Sequence, residues 1–185
     1  MTDHKKNCWK GLVLGALGGV AGVLAMRAYW QRVTQSLGYD PRKKQKSQDE
    51  PQPLDDISLF GKQHKEGESS TAALGRIAYQ QITGKEPSAE TKTTLSYLVH
   101  WLISMQASGL YGAIQGRASL LDFEGGWKLA VGLWLFGDEL IQPLIGVTDG
   151  PTAYPAELHA YSLGAHVAYG LASALATQFL YRLFP

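Results

Sequence analysis

GWKLAVGLWLFGDELIQPLIG, residues 126–146, is an apolar stretch with two adjacent acids, Asp138 and Glu139, near its middle. As a helix it extends roughly 31 Å, the thickness of the hydrocarbon core of a bilayer. One acid at the centre of a spanning helix costs about 2.5–3.5 kcal/mol on insertion scales, and two neighbours cost roughly twice that while both stay charged. Such a pair marks either a functional site or a polar lock between helices. Asp138 and Gln142 are four apart and share a helical face, and Glu139 and Gln142 are three apart and are also neighbours. Pro143 has no N–H, and its ring crowds the carbonyl of Glu139. The spacing therefore predicts a kink at Pro143, a hinge with a freed backbone oxygen that needs a partner. Carboxylates, an amide and a carbonyl thus gather in a short length of helix, as a cation or proton site requires.

Three further apolar segments flank this one, at residues 11–29, 95–114 and 160–184. The first, GLVLGALGGVAGVLAM (11–26), lies between Lys10 and Arg27, with Trp9 and Trp30 placed to meet the two membrane interfaces. Gly11, Gly15 and Gly19 recur every fourth residue, as do Gly18 and Gly22. Small residues at that spacing let helix backbones approach closely. A cleaved signal peptide is the rival reading, because Lys5 and Lys6 precede an apolar run; the bare glycine face argues for a packed helix instead. The second span starts its helix early, with Ser88 as N-cap and Glu90 in the first turn. In the last span, Ala165, Ala168, Ala172 and Ala176 form a small-residue stripe. The expected fold is all-α: an integral membrane bundle of four transmembrane helices. Residues 1–30 hold the tail and first span, 31–92 a polar loop, and 93–185 the three helices that complete the bundle.

Within the polar loop, residues 40–67 include PRKKQKSQDEPQPLDD and read as disordered. Residues 70–83, STAALGRIAYQQIT, place Ala73, Leu74, Ile77, Ala78 and Ile82 on one helical face. They predict a short amphipathic helix on the membrane surface or on the bundle, stopped by Gly84. Charge leaves the orientation open. The last loop carries no Lys or Arg, whereas the long loop carries Arg42, Lys43, Lys44 and Lys46, so the positive-inside rule votes both ways.

Two other spans offer donors for the acids. Tyr97, His100, Ser104 and Tyr111 share a face of the second, and His159, Ser162, His166, Tyr169 and Ser173 share a face of the fourth. Polar stripes of this kind face a bundle interior rather than lipid. The simplest assembly buries Asp138 and Glu139 against His100 and His166. The connection between spans two and three, with Arg117, Asp122, Glu124 and Lys128, reads as a solvated turn. VTDGPTAYPAELHAY (147–161) reads as an ordered turn capping the bundle.

A net charge of +1 gives no basic surface for nucleic acid, and one cysteine, Cys8, excludes an internal disulfide and a cysteine metal cluster. There is no CxxCH, HExxH, nucleotide loop or serine elbow. The expected partners are the lipid bilayer and either a second copy of the chain or another membrane protein. No catalytic residue, resident metal or cofactor is assigned.

The run WLFGDELIQPLIG followed by TAYPAELHAYSLGAHVAYG resembles the YagU-type family of small bacterial inner-membrane proteins. The resemblance covers mainly residues 95–182. Its most specific elements are the acid pair, the proline four residues after Glu139, the Tyr154–Pro155 pair and the two histidines. It implies a multi-span helical fold in the bacterial plasma membrane and brings no substrate or catalytic set.

Three functions compete. In the first, Asp138 and Glu139 take up a proton or cation, Gln142, His100 and His166 relay or pair, and Pro143 supplies the joint, in a role such as acid or envelope stress. In the second, the small-residue faces dock the chain as a structural subunit of a membrane complex. In the third, histidines on two spans hold haem or a metal.

Overall fold

The computed structural model describes residues 8–43, 52–119 and 123–184. Among them every regular element is helical, as the fold class requires. Helix α1 is Cys8–Leu37, α2 is Ser70–Thr83 and α3 is Ala89–Ser119. Helix α4, Phe123–Gly132, continues without a break into a π-helical segment, Leu133–Ile141, and a closing turn, α5, Gln142–Leu144. Helix α6 is Ala156–Leu183. Among the described residues, α1 is the one helix long and apolar enough to cross a membrane by length and composition; a signal sequence or a soluble core helix passes the same test.

Local chemistry sets the helix ends. The Ser69 hydroxyl accepts the Ala72 N–H at 3.3 Å and opens α2. Gly84 closes it at φ 68°, a left-handed conformation that only glycine adopts cheaply, with its N–H donating to the Gln80 carbonyl. The Ser88 hydroxyl accepts the Thr91 N–H at 3.2 Å and starts α3.

Helix α1 sits centrally. It packs on α3 along one side and on α6 along the other, and α4 packs on α6, with Val23, Leu129 and Tyr169 of α1, α4 and α6 in one buried cluster. Helices α3 and α4 barely meet, so the four form a curved row rather than a closed square. The two glycine series divide the work. Gly11, Gly15 and Gly19 lie against the α3 backbone at Gly112, Ser108 and Ser104, whereas Gly18 and Gly22 lie against Thr177, Ser173 and Tyr169 of α6. A second bare-backbone contact, Gly126 on Gly170, joins α4 to α6. The face that α6 turns to α1 is therefore Tyr169, Ser173 and Thr177, and not the alanine stripe. Ala165 is buried, but Ala168 and Ala172 are only half-buried. Because α1 presents glycine, α6 can place larger hydroxyl-bearing side chains there. Tyr169 reaches across to α3: its hydroxyl donates to the Ser104 carbonyl and takes a hydrogen bond from Ser108 at 2.6 Å.

Two expectations for the polar loop are corrected. Residues 52–67, expected to be disordered, run as a strap across the turn at 144–152. The Leu59 N–H donates to the Leu144 carbonyl, those of Gln63 and His64 to Gly146, and that of Gly150 to Asp55. Lys62 pairs with Asp149 at 2.7 Å, and Thr152 donates to Asp55 at 2.7 Å. Residues 44–51, with Lys44 and Lys46, lie outside the described residues, as do Lys5, Lys6, Asp122 and the side chains of Arg117 and Glu124. Helix α2 packs on α3, with its inward face rotated from the one its periodicity predicts and Ala73 common to both. Ala72, Ala73, Gly75 and Arg76 are buried, while Ala78 and Ile82 face outward. Gly75 lies flat on Leu95, and Arg76 is drawn inside by Glu68.

His64 holds the strap by both ring nitrogens, Nδ1 to the Gly146 carbonyl at 2.9 Å and Nε2 to Asp149 at 3.3 Å. Replacing His64 with alanine is expected to make residues 52–67 several-fold more susceptible to protease while the helix content stays unchanged. Limited proteolysis with circular dichroism checks this. An unaltered cutting rate would show that Lys62 and the backbone bonds hold the strap alone.

Candidate functional site

A cavity of about 740 Å³ fills the gap that the row leaves between α3 and the π-segment. That size is ordinary for a small-molecule site. Its floor is α6, with His159, Ser162 and His166, and its α3 wall carries His100, Ile103 and Ser104. Leu133, Phe136, Asp138 and Glu139 project from the π-segment, and the strapped turn adds Asp149 and Tyr154.

The acids stand on an unusual backbone. Sequence reading predicts an α-helix kinked at Pro143; the structure instead has a π-helix over Leu133–Ile141. The Gln142 N–H donates to the Gly137 carbonyl, five residues back. Pro143 offers no N–H, so the Glu139 carbonyl lacks its α-helical donor and the Asp138 carbonyl its π-helical one. The helix changes register where proline removes the donor. π-turns are rare and cluster at functional sites.

Both acids reach α6. Asp138 accepts from the Gln142 amide on Oδ1 at 2.8 Å and from the Ser162 hydroxyl on Oδ2 at 3.1 Å, and His166 Nε2 stands 3.7 Å from Oδ2. Glu139 does not meet His100 or His166. Its Oε1 lies 2.6 Å from Nδ1 of His159. His159, Ser162 and His166 recur at the three-and-four spacing of one helical face, so the α6 stripe does point inward. Its first member, His159, is the partner that sequence reasoning passed over in favour of His166. On α3, His100 lines the cavity within electrostatic reach of His166 and Asp138, while Tyr97 faces outward. Glu157 is exposed.

Hydrogen-bond chemistry restricts where protons sit. A carbonyl oxygen only accepts. His159 Nε2 lies 2.9 Å from the Pro151 carbonyl, so that nitrogen carries a hydrogen. The short contact between Nδ1 and Glu139 then needs one more proton, on the ring as an imidazolium or on the acid as a carboxyl. Without it, two lone pairs face each other at 2.6 Å. His166 repeats the arrangement with its nitrogens exchanged. Nδ1 donates to the Ser162 carbonyl at 2.9 Å, which leaves Nε2 as the nitrogen facing Asp138. In both pairs a backbone carbonyl fixes the far nitrogen as donor; the near nitrogen of His159 shares a proton with Glu139, whereas that of His166, at 3.7 Å, is too far from Asp138 for a hydrogen bond.

Burial, followed by the charge of Asp149, pushes the Tyr154 hydroxyl above its ordinary range, so it stays protonated beside this cluster. The Thr148 hydroxyl, also on the cavity wall, is buried without a partner among the described residues. Among the described residues, no group of three or more His, Cys, Asp and Glu side chains is arranged to hold a metal ion. In comparison with known proteins, the chain matches no family model, no curated protein and no solved structure.

Proposed function

We propose that the chain is a multi-pass bacterial inner-membrane protein that takes up and passes protons through Asp138, Glu139, His159 and His166, with His100 and Gln142 beside them. The observation that carries this reading is the 2.6 Å contact between Glu139 and a histidine whose other nitrogen is already committed as a donor. That bond cannot exist without a proton that either partner can hold.

The outer faces support the membrane setting. Leu24 of α1, Leu110 and Ile114 of α3, Phe136 of the π-segment, and Leu175 and Phe179 of α6 are each more than half exposed. Apolar surface on every long helix suits lipid and is costly in water. Helices α3, α4 with its π-segment, and α6 then cross the bilayer beside α1, giving four spans. The resemblance of residues 95–182 to the YagU-type family supports the bacterial plasma membrane.

Purified protein in liposomes carrying a pH-sensitive dye tests the reading. The wild type is expected to admit protons down a gradient, and Glu139→Gln and His159→Ala to lower the rate at least about tenfold, as loss of a positioned proton carrier does. No proton flux by the wild type at any pH would remove it. The edge left open between α3 and α4 favours a second reading, a structural subunit docked sideways against another membrane protein. In that case the same substitutions lower the yield of a co-purifying complex and leave flux unaffected.

A further inference from the structure

We propose that the cavity between α3 and the π-segment binds a lipophilic cation, taken up in exchange for the proton of the Glu139–His159 pair. The proposal rests on the proton-site reading above and adds the ligand class.

Charge selects the sign of the ligand. The described cavity wall carries three acids, Asp138, Glu139 and Asp149, and one permanent cation, Arg42. Arg42 is already taken: it pairs with Asp40 at 2.8 Å and lies over the Trp30 ring. Asp149 is likewise neutralised by Lys62. Asp138 and Glu139 face only histidine and neutral donors. The Glu139–His159 pair is neutral while it holds its shared proton and carries one negative charge once the proton leaves. One monovalent cation entering for one proton leaving keeps the charge of the wall constant. An anion meets the opposite balance, and a neutral molecule displaces no proton.

Shape and polarity select the rest. Ile103, Leu133, Phe136 and Leu158 make the greater part of the wall apolar, with Met26 and Trp30 behind them. Aromatic rings attract an organic cation through their faces. The space of about 740 Å³ exceeds the need of a bare metal ion and fits a molecule of a few rings. Phe136 and Ile103, at 58% and 45% exposure, stand where the cavity opens sideways between the helices, a route suited to a solute dissolved in lipid.

Tetraphenylphosphonium is the probe, with the full chain in mild detergent. Equilibrium dialysis is expected to show binding that tightens by about tenfold per pH unit while the Glu139–His159 pair holds its proton, the slope of a one-for-one exchange. A weakly buffered sample with an indicator dye is expected to release about one proton per cation bound. Tetraphenylborate, the anion of the same shape, is expected not to bind. Asp138→Asn with Glu139→Gln should weaken binding more than tenfold and abolish proton release. Phe136→Ala, which leaves the acids in place, should weaken binding but keep the release. It serves if the double variant fails to fold. Absent binding, pH-independent binding, equal binding of the borate, or binding without proton release would each overturn the proposal. Proton flux in liposomes without cation binding would leave the relay standing and remove the ligand. Binding with proton release but no flux would keep the ligand site and remove transport.

Discussion

Arg76→Ala is expected to destabilise the fold by about 3 kcal/mol, the lower end of the cost of breaking a buried ion pair, because Lys92 stays beside Glu68. The Arg76 guanidinium grips both oxygens of Glu68 and also donates to the Gln63 carbonyl at 2.6 Å and the Gln80 amide at 3.2 Å. The Glu68 side chain is 3% exposed, with Lys92 at 3.2 Å as its other cation. Arg76→Lys keeps the charge but loses the two-pronged grip, so most of the loss should persist. The same carboxyl gives the fold an acid limit. Burial pushes Glu68 up, but hydrogen bonds from Arg76, the Lys65 N–H and Lys92 outweigh burial and hold it at about 2 against an ordinary 4.5. A carboxyl lowered in the folded state stabilises above its unfolded value, and that contribution fades as pH falls towards the folded one. About 3 kcal/mol present at neutral pH should therefore disappear between roughly pH 4.5 and 2. Thermal unfolding in detergent across that range checks both statements. A transition temperature that ignores acid in the wild type, or is unchanged in Arg76→Ala, would contradict them.

Gly15→Ile should be at least as damaging, for a steric reason. A Cβ on Gly15 lands on the Ser108 carbonyl, and neither backbone can yield without parting α1 from α3. Overpacking a core costs about 1–3 kcal/mol when side chains can shift, and here the obstacle is main chain, so the upper end or beyond is expected. Gly132→Ala is the control. It adds a methyl where nothing lies within 4 Å, in a helix that favours alanine over glycine by roughly 0.5–1 kcal/mol. The two variants should therefore move the unfolding temperature in opposite directions. A small effect at Gly15 would mean that the helices are not seated on their glycines.

What could be read from the chain followed distance along it. Ser88, Gly84 and the glycine spacing act within one or two turns of themselves, and their structural roles were legible from local spacing. The acid pair and the α6 stripe were legible for the same reason, since each is periodic on its own helix. The strap was not. Its pairs, Lys62 with Asp149 and Asp55 with Thr152, are separated by 87 and 97 residues and carry no period. The inward face of α2 was legible at Ala73 and otherwise hidden, because a paired arginine takes the place of the larger apolar residues expected there. Pro143 signalled that a donor was missing, but relief by a kink and relief by a wider turn look alike in sequence. His159 went unchosen because selecting it over His166 requires knowing how far the acids advance around that wider turn.

Ser162 spends its hydroxyl on Asp138 and its carbonyl on the ring that faces the same acid, while His159 rides one turn earlier on the same rod. The two charge stations are thus indexed to a single rigid part. A modest rotation of α6 about its long axis would disengage both in step. Whatever turns that rod sets the timing of both.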